Sequence, residues 1–147
     1  MSLKDWLDNA WLKSHKTDKA EIANLLALAE HDLADAKTQG LSPDWKFGIA
    51  YNAALKLCTI ALYTQGYRPE NALAHFRTIA ALKEISPRHW DRHANYLNAC
   101  RMKRNTLEYE RTDTITTDEA IQLIDFTSSF LAEIKKYLEL QFPQYLQ

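Results

Sequence analysis

The sequence contains few of the residues from which turns and cross-links are built. Its 147 residues include only 3 glycines, 4 prolines and 2 cysteines. So few glycines and prolines disfavour a β-sandwich, which needs many tight turns. The two cysteines lie far apart within helical patterns, which indicates free thiols in a reducing cytoplasm rather than a disulfide scaffold.

Long apolar runs and an excess of one charge are also missing. No run approaches the roughly 20 apolar residues that span a bilayer, and residues 1–6 lack the apolar core of a signal peptide. The 18 Lys and Arg residues nearly balance the 19 Asp and Glu residues, which gives a net charge of −1. We therefore expect a cytoplasmic protein without membrane association, in which nucleic-acid binding would depend on a local patch.

What the sequence does contain is material for a helical core. Hydrophobic residues make up 46% of the chain and charged residues 25%, which excludes a disordered chain. Nearly every segment shows the 3.6-residue period of an amphipathic helix, and the connections are short. The sequence predicts one all-α domain over residues 1–147. Its fold would be an antiparallel up-and-down bundle of four to five main helices plus a short N-terminal helix.

Hydroxyl residues mark the predicted starts of the helices. Each is followed within four residues by a proline or an acidic side chain, as is typical of a helix N-terminus. The predicted caps are Ser2, Thr17, Ser42, Ser86 and Thr116. Gly40 and Gly66 are the predicted ends of the first two long helices.

Apolar positions predict which helix faces are buried. Residues 45–65 are apolar almost all round, which places this helix at the centre of the bundle. The buried side of a shorter helix over residues 70–84 would comprise Leu73, Phe76, Ile79, Ala80 and Leu82. That of the last helix would comprise Ile121, Ile124, Leu131, Ile134 and Leu138. Trp6 and Trp11 are expected to cover the end of the bundle or a dimer seam.

The helix that begins near Ser86 and runs to about residue 110 changes character along one face. On a helical wheel, its first half presents the apolar side of Trp90, His93, Ala94, Leu97 and Cys100. The same face continues with Arg101, Arg104, Asn105 and Glu108, and Tyr109 lies on its flank. A buried stripe that becomes charged is costly unless the charged groups are paired or functional.

Two interpretations of this charged face stay open. In the structural one, Arg104 and Glu108 pair one turn apart and contribute a few tenths of a kcal/mol. In the functional one, the cations of this segment receive phosphates, while Trp90, Tyr96 and Tyr109 stack on bases. The cations are Arg88, Arg92, Arg101, Lys103, Arg104 and Arg111, and three acidic residues offset half of them.

Other polar residues carry weaker signals. His89 and His93 have the spacing of two metal ligands, but no further ligand completes a site, and we expect no metal. His75 is expected to lie at the edge of the core. Asn52 and Lys56, one turn apart in the central helix, need partners, and Glu108 or Tyr109 would be suitable.

Five stretches spread over nearly the whole chain match one known family. They are Asp32-Leu33-Ala34-Asp35-Ala36, Ala50-Tyr51-Asn52-Ala53-Ala54, Gly66-Tyr67-Arg68-Pro69, His75-Phe76-Arg77-Thr78-Ile79 and Arg101-Met102-Lys103-Arg104-Asn105-Thr106-Leu107-Glu108-Tyr109. With these stretches the sequence resembles the HEPN domains, named for higher eukaryotes and prokaryotes nucleotide-binding. The resemblance implies a helical bundle, often a homodimer. Many such domains are metal-independent ribonucleases of toxin–antitoxin or defence systems, paired with a nucleotidyltransferase-like partner.

The resemblance also implies a site. The family signature is an arginine, often followed by a polar residue, with a histidine four to six residues downstream. Arg104 takes the place of the arginine and Asn105 that of the polar residue, whereas Tyr109 stands where histidine is expected, as in a bacterial subgroup. A tyrosine with an ordinary pKa near 10 is a poor base at neutral pH, so this motif favours binding over catalysis.

We therefore expect an RNA- or nucleotide-associated binding module in a toxin–antitoxin-like or stress setting, without a cofactor. The predicted site comprises Arg104, Asn105 and Tyr109. Arg101 and Lys103 would bind phosphate beside Arg104, and His75, Asn52 and Glu108 would support them. One alternative is a metal-independent endoribonuclease that uses Arg104 with Tyr109 or His75. The other is a non-catalytic structural or interaction domain.

Overall fold

Four long helices form the body of the molecule and confirm the predicted all-α bundle. The computed structural model describes residues 2–71, 73–109 and 115–146, with the backbone alone for residues 106–109. The elements are α1 (Leu3–Asp8), β1 (Leu12–Ser14), α2 (Lys19–Ala36), α3 (Pro43–Thr64), β2 (Tyr67–Pro69), α4 (Ala74–Ala80), α5 (Leu82–Ile85), α6 (Pro87–Tyr109), α7 (Thr117–Gln141) and a 3₁₀ turn (Pro143–Tyr145). Within the described ranges, no helix combines the length and the apolarity needed to cross a bilayer.

The helix α3 occupies the centre of the bundle, as its apolar sequence predicts. Eleven of its residues are buried, and it packs against α2, α6 and α7. Ser42 caps its start by accepting the N–H of Trp45 at 3.3 Å, with Pro43 in the first turn. Gly66 follows its end with a φ of +89°, a conformation that costs little only for glycine.

Side-chain contacts show that α6 and α7 are antiparallel. The ring of Trp90, near the start of α6, lies 5.1 Å from that of Tyr137, near the end of α7. Lys103, toward the end of α6, forms an ion pair with Glu119 in the first turn of α7. Trp90 also meets Phe130 edge-on at 5.9 Å, so aromatic rings fill part of the space between these helices.

The starts of the helices follow the predicted caps with one exception. Ser2 and Thr116 both form capping boxes, as predicted. The cap of α2 is Asp18 rather than Thr17, and its Oδ1 accepts the N–H of Glu21 at 2.8 Å. Thr17 instead donates its hydroxyl to Oε1 of Glu21 at 2.7 Å. A carboxylate interacts more favourably than a hydroxyl with the positive end of the helix dipole, which explains the difference.

The end of α2 comes earlier than the sequence predicts. The helix ends at Ala36, four residues before Gly40. Lys37 and Thr38 donate their N–H groups to carbonyls three residues back, which closes the helix with tight turns. Gly40 adopts a φ of +90° in the connection that follows.

Residues 70–84 form two short helices instead of one. Ile79 and Leu82 are buried as predicted, but Leu73 is 60% exposed and Phe76 is 40% exposed. Leu73 has a left-handed φ of +58° ahead of α4, so it falls outside the helical period. Phe76 faces Arg101 rather than the core.

The buried side of α7 is mostly as predicted. Ile124, Ile134 and Leu138 are buried, whereas Ile121 is 48% exposed and that prediction is wrong. Ala120, one residue before Ile121, is buried in its place in the first turn of α7.

A small antiparallel pair, β1 with β2, was not predicted. Leu12 pairs with Pro69, and the pair joins segments far apart in the chain, each only three residues long. Trp6 is buried beside it in a small apolar cluster with Leu62, and the half-buried Trp11 packs against this cluster. The two tryptophans therefore cover this end of the bundle, the first of the two predicted roles.

Both cysteines are free thiols, as predicted. Cys58 and Cys100 are buried and unpaired. Burial raises the pKa of Cys100 to about 11 and that of Cys58 still further above its usual range. Neither thiol is therefore a ready nucleophile at neutral pH.

Candidate phosphate-binding site

One face of α6 changes from apolar to charged along its length, as predicted. Trp90, Ala94 and Leu97 are buried in the first half. Arg101 and Arg104 continue the same face and are half-buried. Their side chains therefore lie at the boundary between the core and the solvent.

Each of these arginines lies over an aromatic ring from another helix. The guanidinium carbon of Arg101 is 5.4 Å from the ring centroid of Phe76 on α4. That of Arg104 is 5.3 Å from the ring centroid of Tyr51 on α3. Arg101 also donates its Nε–H to Oδ1 of Asn98 at 3.0 Å. Stacking uses the face of a guanidinium, whereas its N–H groups point outward in the plane, where they can bind an oxyanion.

Tyr51 is the buried member of this site. Its side chain is 1% exposed, and its hydroxyl has no hydrogen-bond partner in the part of the chain that the structure describes. Burial raises the pKa of Tyr51 well above its usual range, and the nearby Arg104 opposes this shift. A buried hydroxyl without a partner costs about 1–3 kcal/mol, which calls for a compensating role.

His75 completes the group from α4. It is exposed, and its ring centroid lies 6.2 Å from that of Tyr51. The structure therefore places the ring of His75 near that of Tyr51 in an exposed position and not at the edge of the core, and its role at the site stays a prediction. We refer to Tyr51, His75, Phe76, Arg101 and Arg104 as the arginine cluster.

Lys103 does not join the arginine cluster. Its ammonium group binds the carboxylate of Glu119 on α7, one helix face away from Arg104. The hydrogen bond from Lys103 is the main reason that the pKa of Glu119 lies below its usual range. Lys103 is therefore engaged in tying α6 to α7, and the predicted phosphate contact has no geometric support.

The supporting amides are divided between two helices. Asn52 follows Tyr51 on α3 and Asn105 follows Arg104 on α6, and both are half-buried. Lys56, one turn after Asn52, forms an ion pair with Asp32 of α2. Lys56 thus has a partner on α2, whereas the predicted partners Glu108 and Tyr109 have side chains outside the described ones.

Two predicted site residues lie outside the described side chains. The backbone of α6 extends to Tyr109, but the side chains of Glu108 and Tyr109 are not described. The predicted pairing of Arg104 with Glu108 and the position of the Tyr109 phenol therefore stay predictions. Arg111 lies beyond the described part of the helix.

The predicted run of cations on α6 is split between its faces. Arg92 and Arg101 are nine residues apart, which places them on opposite sides of a helix with 100° per residue. Arg88 and Arg92 are exposed, whereas Arg101 and Arg104 face Phe76 and Tyr51. One continuous strip of positive charge is therefore not formed by these residues.

The two histidines of the predicted metal spacing have separate partners. His89 Nδ1 lies 3.1 Å from Oγ of Ser86, and His93 Nε2 lies 3.0 Å from Oε2 of Glu133. In the described ranges, one group of side chains has metal-ligand spacing, and it is His31, Asp32 and Asp35 on α2. Its most buried member, Asp32, is already paired with Lys56.

Tyr51 and Phe76 are the site residues that the sequence did not single out. Tyr51 is one of many large apolar or aromatic residues in α3, and Phe76 has the spacing of a core residue. The charged part of the α6 face could have pointed to them, because half-buried arginines need aromatic or anionic neighbours on the facing helices.

A separate cleft lies at the opposite end of α6. It has a volume of about 620 Å³, and its lining includes Trp90, Glu133, Tyr137 and Phe142. None of the predicted site residues that the structure describes lines this cleft. No protein-family model, curated protein or solved structure matches the chain.

Proposed function

We propose that the protein is an RNA- or nucleotide-binding module whose phosphate-binding site is the arginine cluster. The observation that supports this function most is the pair of half-buried guanidiniums of Arg101 and Arg104, each held over an aromatic ring. Three residues apart on one helix, they are neighbours at about 5–6 Å between Cβ atoms. A single phosphate can span that separation.

The chemistry of the cluster fits a phosphate ligand. A guanidinium binds two phosphate oxygens through parallel N–H groups and keeps its charge at every physiological pH. Phe76 and Tyr51 hold both guanidiniums at the boundary between the core and the solvent, where a phosphate can reach them. His75 on the solvent side adds an aromatic surface against which a base can stack.

Exchange of each arginine for glutamine tests this function. In low salt, Arg104→Gln and Arg101→Gln should each weaken the binding of a short single-stranded RNA about tenfold, and each should reduce the salt dependence by about one phosphate contact. Arg92→Gln removes the same charge from the exposed opposite face and should change the Kd less than twofold. RNA binding that is equally affected by all three variants, or undetectable in the native protein, contradicts the proposal and favours a structural or interaction domain.

A metal-independent endoribonuclease is a second candidate because His75 is exposed beside Tyr51 and within the cluster. A base there would take the proton of a 2′-hydroxyl, whose oxygen attacks the adjacent phosphorus. The bond from phosphorus to the 5′-oxygen then breaks, and this oxygen takes a proton from water, which gives a 2′,3′-cyclic phosphate and a 5′-hydroxyl end. Cleavage of RNA in EDTA that is lost in both His75→Ala and Arg104→Gln, with unchanged melting, would establish this function. Cleavage that is lost in Tyr109→Phe but kept in His75→Ala would assign Tyr109 as the base.

The resemblance to HEPN domains supports the wider setting of this proposal. It suggests a homodimer and a nucleotidyltransferase-like partner in a toxin–antitoxin-like or stress response. Light scattering of the purified protein tests the dimer, for which a mass of about twice 17.0 kDa is expected. Co-purification with the product of an adjacent nucleotidyltransferase-like gene tests the partner.

A further inference from the structure

The hydroxyl of Tyr51 differs from that of Tyr137, which also lies between long helices. The hydroxyl of Tyr137 lies 2.9 Å from Oγ1 of Thr64 and accepts a hydrogen bond from Nε2 of Gln65 at 2.9 Å. That of Tyr51 is fully buried and has no partner among the described residues. A buried donor without a partner is rare and needs an explanation, and a bound ligand would supply one.

The surroundings of this hydroxyl point to an anion. Arg104 lies over the Tyr51 ring at 5.3 Å, and both Arg104 and Arg101 act electrostatically on the phenol. Two cations and one neutral donor thus converge from α6 and α3 on the same space. Arg104 and Arg101 lower the pKa of Tyr51 against the effect of burial, and no carboxylate among the described residues contributes to the shift.

We propose that Tyr51 is a ligand-binding residue, and that the ligand presents a terminal phosphate whose oxygens bind Arg101, Arg104 and the Tyr51 hydroxyl together. This inference rests on the proposed function of the arginine cluster and specifies its ligand class. The phosphomonoester is either a free nucleotide or the end of an RNA chain.

The depth of the hydroxyl selects a terminal phosphate over an internal one. An internal phosphodiester has two esterified oxygens and only two free ones, and its chain continues on both sides, which keeps it at the level of the arginines. A terminal phosphate has three free oxygens, one of which can point downward to a recessed donor. It also carries a charge of about −1.5 to −2 at pH 7, which matches two guanidiniums.

Binding requires that the arginines move outward. The Tyr51 hydroxyl has no solvent contact, whereas Arg101 and Arg104 above it are half-buried. Arginine side chains have several rotatable bonds, so an incoming phosphate exchanges stacking contacts for hydrogen bonds and opens the path to the phenol. The ligand then satisfies the hydroxyl that the fold leaves unpaired.

Three probes separate the possible ligands of the native protein. They are adenosine 5′-monophosphate, a ten-nucleotide RNA with phosphate at both ends, and the same RNA with hydroxyl groups at both ends. The phosphate-ended RNA should bind at least tenfold more tightly than the hydroxyl-ended RNA. Binding of the mononucleotide with similar affinity assigns a free nucleotide as ligand, and its failure to bind assigns an RNA end. Both of these results support the inference.

Tyr51→Phe removes the hydroxyl and keeps the ring under Arg104. It should weaken the binding of the phosphate-ended RNA about tenfold or more and leave the hydroxyl-ended RNA within twofold, since a hydrogen bond to a charged group is lost for one ligand only. Tyr137→Phe is the matched control, and it should change neither Kd. Thermal melting verifies that both variants are folded.

The outcomes also separate this inference from the function on which it rests. If both RNAs bind the native protein equally and Tyr51→Phe changes neither Kd, recognition of a terminal phosphate by Tyr51 is wrong. The proposal that the arginine cluster binds phosphate is then unaffected. If no probe binds the native protein in low salt, both proposals fail. A Tyr51→Phe variant that does not fold assigns a structural role to the hydroxyl and overturns the inference.

Discussion

The two ends of α6 use the same kinds of side chain in different ways. At its start, Trp90 packs against Phe130 and Tyr137, and His93 bonds Glu133 at 3.0 Å. Toward its end, aromatic rings lie under Arg101 and Arg104, and a buried hydroxyl lacks a partner among the described residues. At the first end His93 has an internal partner, whereas at the second the guanidinium of Arg104 lies over a buried tyrosine whose hydroxyl has no partner in the described part of the chain.

The two ends of α6 therefore differ in what we expect their side chains to do. Aromatic rings and paired polar groups at the start of α6 join it to α7 and stabilise the bundle. At the other end, Arg101 and Arg104 are half-buried over aromatic rings, and we propose that they bind an anion. Substitutions at the first end should therefore change stability, and those at the second should change binding.

The largest expected effect is on stability at the start of α6. Trp90→Ala should lower the free energy of unfolding by about 3–5 kcal/mol, because it removes a large buried side chain and leaves a cavity. Its Kd for RNA, measured below its melting temperature, should stay within twofold of that of the native protein. Chemical denaturation measures the free energy of unfolding, and binding titrations measure the Kd. A tenfold loss of RNA binding by folded Trp90→Ala protein would contradict the claim that this end of α6 affects stability alone.

The two tyrosine hydroxyls should have opposite effects on stability. Tyr137→Phe should lower the free energy of unfolding by about 1 kcal/mol, since Thr64 and Gln65 lose a partner. Tyr51→Phe should leave it unchanged or raise it by up to about 1 kcal/mol, because an unpaired buried hydroxyl is removed. Denaturation without ligand measures both. A marked destabilisation by Tyr51→Phe would mean that its hydroxyl contributes to folding.

The smallest expected effect concerns the ion pair that engages Lys103. Glu119 has a pKa below its ordinary value of 4.5, so its carboxylate stabilises the fold above that pH, and this stabilisation is lost as the pH falls through the folded-state pKa. Glu119→Gln should therefore lower the free energy of unfolding at pH 7 by about 1 kcal/mol or less. The difference from the native protein should shrink below pH 4.5. A difference that is the same at pH 3 and pH 7 would show that the pair contributes nothing.

The sequence predicted the bundle because its local signals agree with the packing. The capping boxes at Ser2 and Thr116 and the all-apolar α3 each specify an element without knowledge of its neighbours. The pair of β1 with β2 was missed because three-residue strands have no period, and their pairing depends on chain segments brought together only by the fold. Phe76 was assigned to the core because helical spacing does not show which neighbour a face meets.

The candidate site was predicted in part for the same reason. Arg101 and Arg104 could be identified because a buried stripe that turns charged is visible on a single helix. Tyr51 could not, since a tyrosine in an apolar helix gives no sign that its hydroxyl will be unpaired. Lys103 was assigned to phosphate on charge alone, and only the packing of α7 shows that Glu119 neutralises it.

The most direct test of the arginine site follows the side chains themselves by NMR. In a ¹⁵N-labelled protein, titration with phosphate-ended RNA should shift the Nε–Hε signals of Arg101 and Arg104, assigned through their glutamine variants. Those of Arg88 and Arg92 should not move. Shifts confined to Arg88 and Arg92, or an unchanged spectrum at saturating RNA, would contradict the account.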